Sequence, residues 1–142
     1  MVESRSLQLA AAAGNLRDAM AQHVAASLAE QGFTDATPAA LQFLSVLECG
    51  VNHASDIARS LSVSRQMVAK TVRTLCEAGY LEQMDGAGKQ KAILFTERGE
   101  QLIAAARQTL AEFDERIGSV IETRQLDELL QQLSTIQRLT GG

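Results

Sequence analysis

Apolar residues recur at helical spacing near both ends of the chain. Over residues 4–31 they stand mostly three to five positions apart, which places them on one stripe of a helix. Similar stripes run over residues 97–118 and 124–139. The pattern therefore predicts one long helix at the start of the chain and two helices at its end. The first stripe consists of Leu7, Ala11, Leu16, Met20, Val24 and Leu28.

Shorter helices are predicted for the middle of the chain. Residues 37–48 open with Thr-Pro, a typical helix start, because threonine caps the first turn and proline fits its first position. A short helix over residues 55–61, a Ser-Val-Ser turn at 62–64 and a helix over residues 65–78 follow. The two helices and the turn between them have the layout of a helix-turn-helix.

A hairpin is predicted after these helices. Residues 80–84 alternate between apolar and polar, residues 91–95 form a second strand-like segment, and the glycine-containing stretch 85–88 provides the turn. Helices at both ends and one hairpin make a mainly α fold of the α+β type. A helix-turn-helix followed by a hairpin is a winged helix.

Composition is that of a globular protein. The 142 residues fit one domain, and the fractions of apolar residues (46%) and charged residues (21%) are ordinary. No apolar run approaches the ~18 residues of a membrane span. The N-terminus lacks the features of a signal peptide, and two cysteines do not make a disulfide framework. The expected compartment is a reducing cytoplasm.

Charge is unevenly distributed. The formal net charge of the whole chain is −4, yet residues 50–99 carry seven basic and five acidic residues. Residues 59–73 contain four basic residues and no acidic one. A basic segment in an acidic chain indicates a local electrostatic function rather than general adhesion to anions.

The helix over residues 65–78 has two different faces. Val68, Val72 and Leu75 recur at core spacing, whereas a second face is polar and cationic and has no acid. Such a helix fits the major groove of DNA, where amide and cationic side chains meet base edges and phosphates. This second face consists of Gln66, Ala69, Lys70 and Arg73, with Arg65 beside it.

Further DNA contacts are expected around this helix. Val63 would fill the gap between the two helices, and the serines of the turn offer hydroxyls to phosphate. The lysines of the hairpin suit a neighbouring minor groove or the phosphates beside it. The complete set of candidate contacts is Ser55, Ser62, Ser64, Arg65, Gln66, Ala69, Lys70, Arg73, Lys89 and Lys91.

The middle of the chain resembles the MarR family of bacterial transcriptional regulators. The resemblance rests on DIARSLSVSRQMVAKTVRTLCEAGYLEQ, together with TPAALQFLSVL before it and ILFTERGEQLI after it. It implies a single MarR-like domain over residues 1–142, in which residues 37–99 form the winged-helix lobe. Residues 1–36 and 100–142 would be dimerisation helices interleaved between two subunits. The implied function is repression from a palindromic operator, commonly relieved by a small-molecule effector.

The resemblance also implies roles for individual residues. The recognition helix would begin at Ser64. An effector pocket between the dimerisation helices and the lobe would include His23, Phe43 and Leu47. The wing departs from the family pattern, because Lys89 or Gly88 stands at the position of an arginine. Lysine keeps the charge of arginine but lacks its planar fork. Weaker minor-groove recognition is expected.

Dimerisation has support in the sequence itself. The helices at both ends are too apolar for one small domain to cover, and Ala10–Ala13 allow close helix approach. Burial of each leucine contributes about 1.5–3 kcal/mol, so several could hold an obligate pair.

Two alternatives use the same scaffold. One is a thiol- or metal-responsive regulator that uses Cys49, Cys76, His53 or Glu48. Cys49 and His53 are four residues apart, and they could bind one metal from a single helical turn only if a helix ran through Gly50. The other is a dimeric protein-interaction module without DNA binding. Motifs typical of hydrolases, nucleotide-binding proteins and zinc peptidases are absent, so we expect no enzyme, cofactor or metal.

Overall fold

The computed structural model describes residues 4–85 and 91–141, and its elements follow the predicted order. None of the helices in these residues has the combination of length and apolar character that a membrane crossing requires. The elements are α1 (Arg5–Glu30), α2 (Pro38–Glu48), α3 (Ala54–Leu61), α4 (Arg65–Glu77), β1 (Leu81–Asp85), β2 (Lys91–Phe95), α5 (Glu97–Gly118) and α6 (Thr123–Arg138).

Side-chain caps and glycines set the ends of the helices. The hydroxyl oxygens of Thr37 and Ser64 accept hydrogen bonds from the third amide of α2 and α4, each at 3.1 Å. Gly50 (φ 100°) and Gly79 (φ 89°) follow α2 and α4 in the left-handed region, which glycine adopts without a Cβ clash. These local signals explain why the predicted helix boundaries agree closely with the structure.

The hairpin begins one residue later than predicted. Strands β1 and β2 are antiparallel, with Leu81 opposite Phe95 and Asp85 opposite Lys91. Tyr80, predicted as the first strand residue, instead anchors the hairpin: its ring is buried and its hydroxyl donates to the Thr34 carbonyl at 2.6 Å.

A further backbone hydrogen bond ties the hairpin to the segment before α3. The Ile93 amide donates to the Asn52 carbonyl at 3.0 Å. Strand β2 is therefore hydrogen-bonded to β1 on one side and, through the amide of its middle residue, to Asn52 on the other.

The chain divides into two compact units, Met1–Arg107 and Gln108–Gly142, with α5 continuous through the division. The first unit holds a core to which α1, α2, α3, α4, the hairpin and the start of α5 contribute. This core positions the helix-turn-helix. Its most deeply buried members are Leu28, Phe43, Leu44, Ile57, Val68, Leu75, Tyr80, Ile93 and Leu102.

The second unit consists of the end of α5 and α6. Helix α6 begins with a capping box in which the Glu122 amide donates to the Gln125 side chain at 3.0 Å. None of the residues of α6 is buried within this chain. Its leucines and isoleucine are half-buried or exposed.

Candidate nucleic-acid interface

Helix α4 has one buried face and one exposed face. Val68, Val72 and Leu75 are buried in the core of the first unit. Gln66, Ala69, Lys70 and Arg73 are all exposed, as is Arg65 at the first turn. Because the buried face is packed, the exposed residues are held at fixed positions on a rigid helix.

The turn before α4 is held by backbone geometry. Ser62 adopts a left-handed conformation (φ 54°), and the Val63 amide donates to the Ala58 carbonyl at 3.0 Å. The prediction that Val63 fills the gap between the two helices is wrong, because its side chain is 39% exposed. The turn holds Val63 at the surface, and α3 contributes Ile57 and Ala58 to the core instead.

The serines around the turn lie in different environments. Ser62 and Ser64 are exposed, and the Ser64 oxygen is already bonded to the Met67 amide. Its hydroxyl hydrogen stays available to an external acceptor such as phosphate. Ser55, in the first turn of α3, is half-buried.

The basic residues of α4 differ from Arg59 on α3 in whether they form an ion pair with a carboxylate. Arg59 on α3 forms an ion pair with Asp56 at 3.0 Å. Among the side chains that the structure describes, those of residues 4–84 and 91–141, Arg65, Lys70 and Arg73 make no ion pair. The uncompensated positive charge of this region therefore lies on the exposed face of α4.

The hairpin contributes one described candidate. Lys91 is exposed at the start of β2, opposite Asp85 in the strand register. Lys89 lies outside the described residues.

The three candidate effector residues differ in burial. Phe43 and Leu47 are buried in the core, and His23 is half-buried on α1. Leu47 lines a groove of about 410 Å³ between α2, the end of β2 and α5. An ion pair between Arg107 and Glu48 lies at this groove. The other lining residues are Phe95, Glu100, Ile103 and Ala104.

The cysteines and histidines do not form a metal set in the described part of the chain. No three His, Cys, Asp or Glu side chains come together there. Helix α2 ends at Glu48, so Cys49 and His53 do not share a helical turn. Cys76 is half-buried, and burial together with the neighbouring Glu77 charge raises the pKa of its thiol.

This raised pKa predicts different reactivity for the two thiols. Because the thiolate is the reactive form, we expect iodoacetamide to label exposed Cys49 well before Cys76 at neutral pH. Mass spectrometry of timed samples measures both rates, and the Cys76→Ser variant identifies the fast site. Faster labelling of Cys76 in the folded protein would contradict this prediction.

Helix, turn, helix and two-stranded hairpin, arranged in this way, define a winged helix-turn-helix protein. The fold is that of the MarR-family transcriptional regulators, as three solved structures of this kind illustrate. The fold expected from the motif resemblance is therefore confirmed. No protein-family model and no curated protein matches the sequence.

The structural similarity extends over nearly the whole chain. A MarR transcriptional regulator from Methanosarcina mazei Go1 has a TM-score of 0.78 at 16% identity, covering 98% of this chain and 92% of its own. Wild-type MarR from E. coli, in its apo form, has a TM-score of 0.73 at 13% identity, covering 96% and 98%. The MepR–DNA complex from S. aureus gives a TM-score of 0.71 at 17% identity, covering 98% and 99%.

Proposed function

We propose that the chain is a transcriptional regulator that binds double-stranded DNA as a homodimer, recognises a palindromic operator and represses until a small ligand releases it. The observation that carries this proposal is the exposed face of α4. That face presents the Gln66 amide beside Lys70 and Arg73, two cations that have no ion-pair partner among the described side chains.

Electrostatics favours DNA as the partner of this face. The chain as a whole carries a net charge of −4, so it repels polyanions except where cations are concentrated. The Lys70 and Arg73 cations are suited to phosphate and guanine, and the Gln66 amide is suited to adenine. The MepR–DNA complex, which shares this fold, also supports DNA as the partner.

A second copy of the chain is the partner of the terminal helices. Leu7 and Leu16 on α1 are 72% and 56% exposed, whereas Leu130 on α6 and Leu139 just after it are 56% and 83% exposed. Exposed apolar surface of this kind is typical of an interface between subunits. A twofold dimer presents two copies of α4, so operator half-sites would lie about 10 base pairs apart.

The groove beside α5 is the proposed site of the ligand. Its apolar lining includes Leu47 and Ile103, and the Arg107–Glu48 pair connects α5 with the end of α2. A ligand that binds one spacing of the two recognition helices better than another would shift the dimer between DNA-binding and released states.

Selection of DNA by the full chain tests the function directly. From a library of random-sequence duplexes, we expect enrichment of an inverted repeat whose half-site centres lie about 10 base pairs apart. Sedimentation of the free protein should give a dimer. Dimeric protein that enriches no sequence would contradict the proposal and would favour the interaction module.

A further inference from the structure

Met67 is an exposed apolar side chain in the first turn of α4. It is 54% exposed, although the neighbouring outward residues Gln66 and Lys70 are polar. The exposed leucines of α1 lie on a helix that is proposed to meet a second subunit, whereas Met67 lies on the helix that is proposed to meet DNA. Its exposure therefore needs a different explanation.

Both backbone groups of Met67 are held in place. Its amide donates to the Ser64 oxygen at 3.1 Å, and its carbonyl accepts from the Thr71 hydroxyl at 2.9 Å. The side chain thus projects from a fixed point while its thioether keeps rotational freedom. Methionine is well suited to adapt its shape to an apolar partner.

The position of Met67 places it beside the candidate DNA contacts. At 3.6 residues per turn, Met67 lies about 60° around the helix from Lys70 and about 100° from Gln66. A duplex whose major groove receives Lys70 would come within reach of Met67. Recognition helices contact base edges with the residues of their N-terminal part, where Met67 lies.

We infer that Met67 recognises a thymine methyl group in each operator half-site. This inference rests on the proposed function. The C5-methyl of thymine is the apolar group that a base pair presents in the major groove. Met67 would contribute base preference without a hydrogen bond.

Removal of single methyl groups from the DNA tests the inference. The probe is the duplex selected by the full chain, with each symmetric pair of thymines replaced in turn by deoxyuridine. For the parent protein, we expect one such pair to reduce affinity about fourfold per half-site, or about 15-fold in total, because a buried methyl-sized group is lost. Fluorescence anisotropy with labelled duplexes measures the change.

Matched variants assign the effect to Met67. Met67→Gln keeps a similar length without the apolar end, and its affinity should not depend on that methyl pair. Met67→Leu stays apolar and should retain the dependence. Because Met67 is exposed, both variants should melt like the parent by circular dichroism.

The outcomes separate this inference from the proposed function. Specific binding that is unaffected by deoxyuridine at every thymine would overturn the role of Met67 alone. The same conclusion follows if Met67→Gln keeps the full methyl dependence. Failure to select any sequence would overturn the proposed function and this inference together.

Discussion

Replacing Lys70 and Arg73 together by alanine is expected to weaken operator binding about 1,000-fold or more, since each lost contact to a base is worth about 1–3 kcal/mol and a dimer loses each of them twice. Both side chains are exposed and make no ion pair in the described residues. Their removal should therefore leave the thermal midpoint of unfolding almost unchanged.

The salt dependence of binding distinguishes lost DNA contacts from general damage. A plot of log affinity against log salt concentration should become shallower by about 0.9 for every phosphate contact that is removed. The control variant removes two exposed charges from α6 by Arg124→Ala and Arg138→Ala. Because α6 belongs to the proposed dimer interface, the comparison is made only after sedimentation has shown that this variant is still a dimer. If the control loses as much affinity as the α4 variant, the assignment of the interface to α4 is wrong.

Gly99→Ala is expected to destabilise the fold by about 3 kcal/mol, near the upper end for overpacking a filled site. A Cβ at Gly99 would lie 2.1 Å from the Tyr80 carbonyl oxygen and 3.2 Å from a ring carbon of Phe95. The Tyr80 carbonyl cannot move away easily, because it accepts from the Thr96 amide at 3.0 Å. The hydroxyl of the same tyrosine is bonded to the Thr34 carbonyl.

The size of this effect can be measured by thermal melting against a second glycine. A loss of about 3 kcal/mol should lower the midpoint by about 10 °C for a chain of this size. Gly118→Ala, at the other end of α5, is the control because nothing lies within 4 Å of its added Cβ. Alanine there should be neutral or stabilise by up to about 1 kcal/mol. Equal midpoints for the two variants would contradict the close approach of α5 to Tyr80.

Much of the fold follows from local signals in the sequence. Helical periodicity and the Thr37 and Ser64 caps place the helices, since a capping hydroxyl acts within a few residues of itself. The position of Tyr80 was not predictable in the same way. Its place before the strand depends on the Thr34 carbonyl, which is distant in sequence.

The candidate interface was likewise predictable only in part. The two faces of α4 could be separated by periodicity alone, because Val68, Val72 and Leu75 differ in character from the cations. The i, i+3 spacing of Asp56 and Arg59 on α3 is compatible with their ion pair, but periodicity could not indicate that Val63 would stay at the surface. The exposure of Val63 depends on the left-handed turn at Ser62.

The hydrogen bond from the Ile93 amide to the Asn52 carbonyl also protects a sheet edge. A two-stranded ribbon is marginally stable by itself, and its free amides can recruit strands from other molecules. In this chain the central amide of β2 is already occupied by an intramolecular acceptor. Aggregation by edge-to-edge strand addition at this position is therefore disfavoured, even in concentrated protein.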